Sequence, residues 1–246
     1  MKISIITVCL NSENTIERTF KSVLSQTYSE FEYIIVDGKS KDNTIKIIEE
    51  YYLKFKNKNI SFKWVSEKDK GLYDAMNKGA KMALGEYLIY MNADDEFADR
   101  NCLETAVRYM DSKIDVLYGN ANIIDGMKKE KRKSKEINSI KKHLPFIPQS
   151  AFIRTVIQKK YLFNLYYKIS ADFDSFLRMY LDGCIFKQID YTFSNFYAGG
   201  VSWENSWKTY KEDTRVKHEN KILNRYAPLQ TFKYIYRYFI YKFKSL

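Results

Sequence analysis

The sequence predicts an α/β fold: a mainly parallel central sheet flanked by helices, with a helical, basic extension at the C-terminus. Three observations predict it. Short apolar runs alternate with segments of helical periodicity from the first residues onward. Those runs are continuous, as expected of strands buried on both faces. Two of them end directly in acids, at Asp37 and at Asp94-Asp95, which a parallel sheet brings out on one edge.

Ile3 to Leu10 reads as the first strand, and Asn11 and Ser12 offer caps to a helix whose Ile16, Phe20, Val23 and Leu24 share one face. Phe31 to Asp37 is the second strand and Gly38 to Asn43 a polar turn. The next helix carries Ile45, Ile48, Tyr52 and Phe55 as its core stripe, and Ile60 to Val65 is the third strand. After Gly71 the chain turns helical, with Met76, Ala80 and Ala83 toward the core. Asn77, Lys78 and Gly79 form its polar face, which either approaches a phosphate or meets solvent. Leu88 to Met91 is the strand that runs into Asp94 and Asp95. Cys102 to Met110 reads as an amphipathic helix, Asp115 to Gly119 as a strand, and Ser170 to Leu181 as a helix with Phe173, Phe176, Leu177, Tyr180 and Leu181 in its stripe. Such alternation favours parallel winding.

A chain of 246 residues, 45% of them hydrophobic, buries a sizeable core and excludes wholesale disorder. Its net charge of +11 is uneven: residues 1–125 carry −3 and residues 126–246 carry +14, which points to an anionic partner for the second half. Lys128, Lys129, Lys131, Arg132, Lys133 and Lys135 crowd one segment, expected to be a mobile, solvated loop. Cys9, Cys102 and Cys184 are far apart and only His143 and His218 accompany them, so no zinc-type cluster is spelled out and a reducing cytoplasm fits. No signal peptide is expected, and no apolar run approaches the roughly 20 residues that cross a bilayer. Residues 229–246 hold four basic residues, seven aromatics and no acid. That composition suits the headgroup layer of an anionic membrane, or a helix packed on protein.

Neighbouring residues of an extended segment point to opposite sides, so Asp94 and Asp95 do not both grip one ion. Hard oxygen ligands suit Mg²⁺ or Mn²⁺ held with the help of a substrate's phosphates, although an Asp-Asp pair also serves as a turn or helix cap. Asp37 is either a ribose or base contact or a turn former before Gly38. Asp172 and Asp174 lie in the first turn of their helix, where the dipole stabilises acids. Asp174 has Arg178 four residues on, whereas Asp172 has no such local partner and is the better general base. No Gly-x-Gly-x-x-Gly or Gly-x-x-x-x-Gly-Lys-Ser/Thr follows the first strand, which removes the usual dinucleotide and P-loop cradles.

Seven stretches, in order, carry a resemblance: Ile5 to Asn11, Val36 to Thr44, Glu67 to Gly79, Asn92 to Asp95, Pro148 to Phe152, Ala171 to Asp174, and Gly199 to Ser202. Together they resemble a family 2 glycosyltransferase of the GT-A fold. The resemblance implies a catalytic domain over 1–205, with a nucleotide-sugar half at 1–120 and an acceptor half at 121–205, followed by the extension 206–246. It implies that Thr7 and Asn11 line the nucleotide pocket, Asp37 meets the uracil or ribose side, and Asn77 and Lys78 belong to the donor site. Asp94 would contact ribose or sugar and Asp95 the metal, Mn²⁺ or Mg²⁺. Gln149 falls where acceptor and donor sugar meet, and Asp172 matches the catalytic base. Many members have His where this chain has Pro148 and Glu where it has Ala171. The implied activity is inverting transfer from a nucleoside-diphosphate sugar, UDP-linked, to a saccharide or lipid-linked saccharide in surface polysaccharide synthesis.

Two rivals share parts of the pattern. A metal-dependent nucleotidyl or phosphoryl transferase would use the same acids, but two-metal versions need more of them. A nucleic-acid-binding module would explain the basic second half, but not acids at strand ends that repel phosphate. Nucleic acid is therefore not the expected partner.

Overall fold

The structure, a computed structural model, describes residues 2–199 and 206–222. The segment 229–246 and residues 200–202 of the last motif lie outside the described residues.

Strands β1 (Ile3–Cys9), β2 (Phe31–Asp37), β3 (Ser61–Ser66) and β4 (Tyr87–Tyr90) form a parallel half-sheet in the order β3-β2-β1-β4. Side chains alternate between two cores, one on each face. Ile3, Ile5, Tyr33, Ile35, Tyr87 and Ile89 enter one; Ile6, Val8, Ile34, Val36, Leu88 and Tyr90 enter the other. Helices α1 (Ile16–Leu24), α2 (Thr44–Asn57) and α4 (Cys102–Tyr109) cover the first face, and α3 (Leu72–Met82) covers the second. The α2 stripe corrects one expectation: Tyr51 is buried and its neighbour Tyr52 is exposed, because the burial runs 44-48-51-55, the 3–4 residue step of a helix.

The second half of the sheet is mixed rather than mainly parallel. Beyond β4 come β8 (Ala151–Arg154), β6 (Val116–Asp125), β9 (Phe186–Tyr197) and β5 (Glu96–Phe97), with β6–β9 parallel and the other pairings antiparallel. The lysine-rich segment is a further correction. Lys128–Arg132 forms strand β7, paired antiparallel to β6 through a two-residue turn at Gly126-Met127, with Gly126 at φ +57°. Its side chains are all exposed, as expected, and a lysine-rich outer strand resists pairing with another chain.

The remaining elements are α5 (Thr155–Lys160), α6 (Ala171–Leu181) and α7 (Ser206–Glu219). Phe173, Phe176, Leu177 and Met179 of α6 and Val216 of α7 share the core on the second face. Glu212 of α7 accepts the backbone N–H groups of Lys168, Ile169 and Ser170, so α7 holds the turn from which α6 starts.

Candidate active site

The register aligns Cys9 with Asp37 and Asp37 with Ser66, so the carboxyl ends of β1, β2 and β3 make one edge. Chain leaving β4 emerges at the same edge, since Met91 N–H bonds the Ile6 carbonyl at 2.9 Å. This is where ligands of open α/β sheets gather.

Asp37 is fully buried and wholly engaged. One oxygen accepts the N–H groups of Lys39 and Ser40, each at 2.9 Å, and the Ser66 hydroxyl at 2.6 Å; the other accepts the Ser40 hydroxyl. It ties the 38–43 turn to β3, the turn-forming role. Asn11 finishes that turn from β1: it sits at φ +51°, a region Asn tolerates, and its Oδ1 accepts the Lys41 N–H at 2.8 Å. Leu10 beside it is exposed at the edge.

Three expected donor-site residues, Thr7, Asn77 and Lys78, are engaged with other parts of the fold. Thr7 is fully buried two residues before the strand ends, with its hydroxyl against Tyr33 (2.8 Å) and the Met91 carbonyl (2.6 Å). Cys9 is the β1 residue beside Asp37, with Sγ 3.6 Å from its carboxylate; burial and that charge push its thiol up. Asn77 is also buried, exchanging hydrogen bonds with the Phe163 backbone at 2.9 Å each, and Gly79 faces Ile6, so α3 has no open polar face there. Lys78 holds the loop after β3: its ammonium pairs with Glu67 at 2.8 Å and Asp74 at 3.7 Å.

After β4 the chain turns, with Asp95 N–H on the Asn92 carbonyl at 3.0 Å. Asp95 is 1% exposed; its Oδ1 accepts the Tyr197 N–H at 3.0 Å and its Oδ2 has no partner among the described residues. Burial, then the charge of Asp94, pushes its carboxyl well up, while Tyr197, Arg18 and Gln149 work against that rise. Gln149 is buried in the short 3₁₀ turn Pro148–Ser150, and its Oε1 likewise lacks a partner among the described residues. Asp94 is less buried, with its carboxyl raised by burial. Arg18, which the sequence reading did not single out, bonds the Asp94 carbonyl and stacks 3.5 Å from the Tyr197 ring centroid. A buried carboxylate oxygen without a protein partner among the described residues is a donor that fits a hard divalent cation. Among the described residues no three His, Cys, Asp or Glu side chains gather as a ready cage.

Asp172 begins α6. Its Oδ1 accepts the Phe173 N–H at 2.7 Å and the Tyr73 hydroxyl at 3.2 Å. Burial, with the charge of Asp213 on α7 adding to it, pushes the carboxyl up to about 6. Tyr73 stands at the start of α3, just past the β3 loop, and this bond draws α6 to the sheet edge that carries Asp37. Asp174 pairs with Arg178 at 2.8 Å, as expected. Neither Tyr73 nor Asp213 was legible as a partner of Asp172, because both are distant in sequence. A cavity of about 610 Å³ between α1 and β5, lined by Glu17, Arg18, Glu96 and Asn195 among others, includes none of Asp37, Asp95 and Asp172.

Residues 4–183 match the family model described as glycosyl transferase family 2. A poly-beta-1,6-N-acetyl-D-glucosamine synthase of Staphylococcus epidermidis is 29% identical over 225 residues, covering 90% of this chain and 48% of that protein. A UDP-Glc:alpha-D-GlcNAc-diphosphoundecaprenol beta-1,3-glucosyltransferase of Escherichia coli is 34% identical over 125 residues, or 50% of this chain and 47% of its own length. The chain thus spans about half the length of the curated relatives it matches. Among solved structures, S. aureus TarS 1–349 in complex with UDP-GlcNAc aligns with a TM-score of 0.69 at 24% identity, covering 84% of this chain and 61% of that one. A mannosyltransferase of Pyrobaculum calidifontis in complex with GDP-Man and Mn²⁺ gives 0.70 at 14% identity, over 92% and 66%. These likenesses establish the fold, that of GT-A glycosyltransferases. Among the described residues no helix is long and apolar enough to cross a membrane.

Proposed function

The chain belongs to glycosyl transferase family 2, and we propose that it moves a sugar from a UDP-linked donor to a hydroxyl of a saccharide or lipid-linked saccharide, with inversion, in building a surface polysaccharide. The observation that carries this reading is Asp172 at the start of α6, held by the Tyr73 hydroxyl at 3.2 Å and the Phe173 N–H at 2.7 Å, with its carboxyl raised by burial to about 6. Family membership over 4–183 supplies the reaction class.

Asp172 takes the proton of the attacking hydroxyl. Tyr73 and the Phe173 N–H orient its Oδ1 and leave Oδ2 for that task. Asp95 would hold Mn²⁺ or Mg²⁺, which when bound would offset charge growing on the leaving diphosphate, and Gln149, whose side chain acts on the Asp95 carboxylate, lies where acceptor and donor sugar would meet. Asp94 meets the ribose or sugar. Asp37 and Asn11 shape the 38–43 turn as a wall for the base, with Leu10 as an apolar surface beside it. Residues 1–120 make the donor half and 121–205 the acceptor half, to which α7 adds Asp213. For residues 229–246, composition supports contact with an anionic membrane on its cytoplasmic face; liposome flotation unchanged by deleting them would remove that part.

The test is a panel of nucleotide sugars with Mn²⁺ or Mg²⁺ and a saccharide acceptor, scored for both free nucleoside diphosphate and glycosylated product. Product without free nucleoside diphosphate, or neither with any donor, would overturn the reading.

A further inference from the structure

Helix α1 lies along the chain that leaves β4 and meets its backbone at successive points. The Thr19 hydroxyl donates to the Asp95 carbonyl at 2.6 Å, and the Ser22 hydroxyl accepts the Phe97 N–H at 3.2 Å. Gln26, just past the helix, donates to the Asp99 carbonyl at 2.8 Å. The spacing of these three residues puts their side chains on one face. Arg18, next to Thr19, reaches past the turn that the others hold. Its guanidinium donates to the Asp94 carbonyl at 2.5 Å and lies over the Tyr197 ring at the end of β9, 3.5 Å from the centroid.

The guanidinium thus spans two strand ends that share Asp95. One is the 92–95 turn, which carries the carboxylate; the other is Tyr197, whose N–H donates to Asp95 Oδ1 at 3.0 Å. The Tyr197 hydroxyl donates to Glu96 at 3.1 Å, and Asn195 donates to the same oxygen at 2.8 Å. With Oδ1 fixed in this way, Oδ2 is the oxygen left without a partner among the described residues. The free oxygen of Asp95 therefore takes its direction from a donor that Arg18 anchors. Loss of the guanidinium releases the Asp94 carbonyl and the Tyr197 ring together. A planar cation stacked on an aromatic face and bonded at its edge is also an arrangement that lysine does not reproduce.

We propose that Arg18 is a positioning residue: by clamping the 92–95 turn to the end of β9 it aims the Asp95 carboxylate at the cation, and acts through Asp95 rather than on cation or sugar. This rests on the transfer reading above. Arg18 is half-buried and lines the cavity of about 610 Å³ between α1 and β5, which does not include Asp95. A small solute can therefore reach the place of a truncated Arg18 through that cavity, without crossing the proposed donor site.

The experiment titrates the full chain by calorimetry, with Mn²⁺ in the presence of UDP and with UDP alone in EDTA. Arg18→Ala is expected to bind Mn²⁺ about 10–100-fold more weakly, the scale for residues that orient a metal ligand, with UDP affinity in EDTA as in wild type. Ethylguanidine, entering by the cavity, should restore most of the Mn²⁺ affinity, whereas ethylamine should not. Arg18→Lys keeps the charge and the aliphatic stem and provides a second, less disruptive variant; it should lose affinity too, because an ammonium lacks the planar fork. Unchanged Mn²⁺ affinity in both variants, an equal loss of UDP affinity in EDTA, or a loss that ethylguanidine does not reverse would overturn the proposal. Wild type is titrated first: if UDP brings it no affinity for Mn²⁺, the metal-assisted transfer reading fails and the positioning role falls with it. Failure confined to the variants leaves that reading standing.

Discussion

The Tyr73 hydroxyl lies 3.2 Å from the Asp172 carboxylate, a bond between residues 99 positions apart that joins the start of α3 to the start of α6. That one hydroxyl proton also faces the Ile169 carbonyl, so it only partly offsets the burial that raises Asp172. Tyr73→Phe removes a donor to the ionised form. Transfer should fall about tenfold, in line with one hydrogen bond to a charged group. The acidic limb of the rate profile should move to higher pH, as read from kcat/KM between pH 5 and 8.

Asp172→Asn should move activity and stability in opposite directions. Turnover should drop about 10²–10⁴-fold, the scale of a positioned base, with donor affinity kept. The folded-state pKa lies above the unfolded value, so the proton is held more tightly in the folded chain. That contribution is full below about pH 4 and is lost as pH rises through about 6. Removing this half-buried charge should therefore stabilise the chain at pH 8 by roughly 1–3 kcal/mol and do little at pH 4. Thermal melts at the two pH values check this.

Asp95→Ala deletes the orphaned oxygen and the acceptor of the Tyr197 N–H. Mn²⁺ with UDP should raise the melting temperature of wild type beyond either alone, and the variant should lose that synergy. An equal shift in the variant would show that the cation is held elsewhere.

Gly85→Ala tests the strand that carries Asp94 and Asp95. A Cβ there would lie 2.6 Å from Ile3 C and Ser4 N, both backbone atoms of β1 that do not yield. The cost should be about 3 kcal/mol, the upper part of the overpacking range, measured by denaturant unfolding. A near-neutral result would mean β1 and the β4 entry are less tightly paired than the structure has them.

What the sequence disclosed follows its local patterns. β1, β2 and α3 were legible because strands buried on both faces and helical stripes are written in neighbouring residues, as Ile34, Ile35 and Val36 are. Acids at strand ends were legible for the same reason, and so was the contrast between Asp174, paired with Arg178, and Asp172. The partners of Thr7 and Asn77 were not legible because polarity reveals a hydrogen-bonding need without naming the partner; here those partners are Tyr33 and the Phe163 backbone. Arg18, Tyr73 and Asp213 were missed because their significance depends on Asp94, Asp172 and the packing of α7, relationships that only the fold creates. The β6–β7 hairpin hid behind its charge, since edge strands in solvent carry lysine as loops do.

The central claim is that Asp95 and Asp172 face one reaction centre. Anomalous scattering from crystals of the chain grown with Mn²⁺ and UDP tests it most directly. The account expects a manganese peak beside Asp95 Oδ2, bridged to the diphosphate, with the Asp172 carboxylate across the same cleft. A peak away from Asp95, or a nucleotide in a cavity that Asp172 does not border, would contradict it.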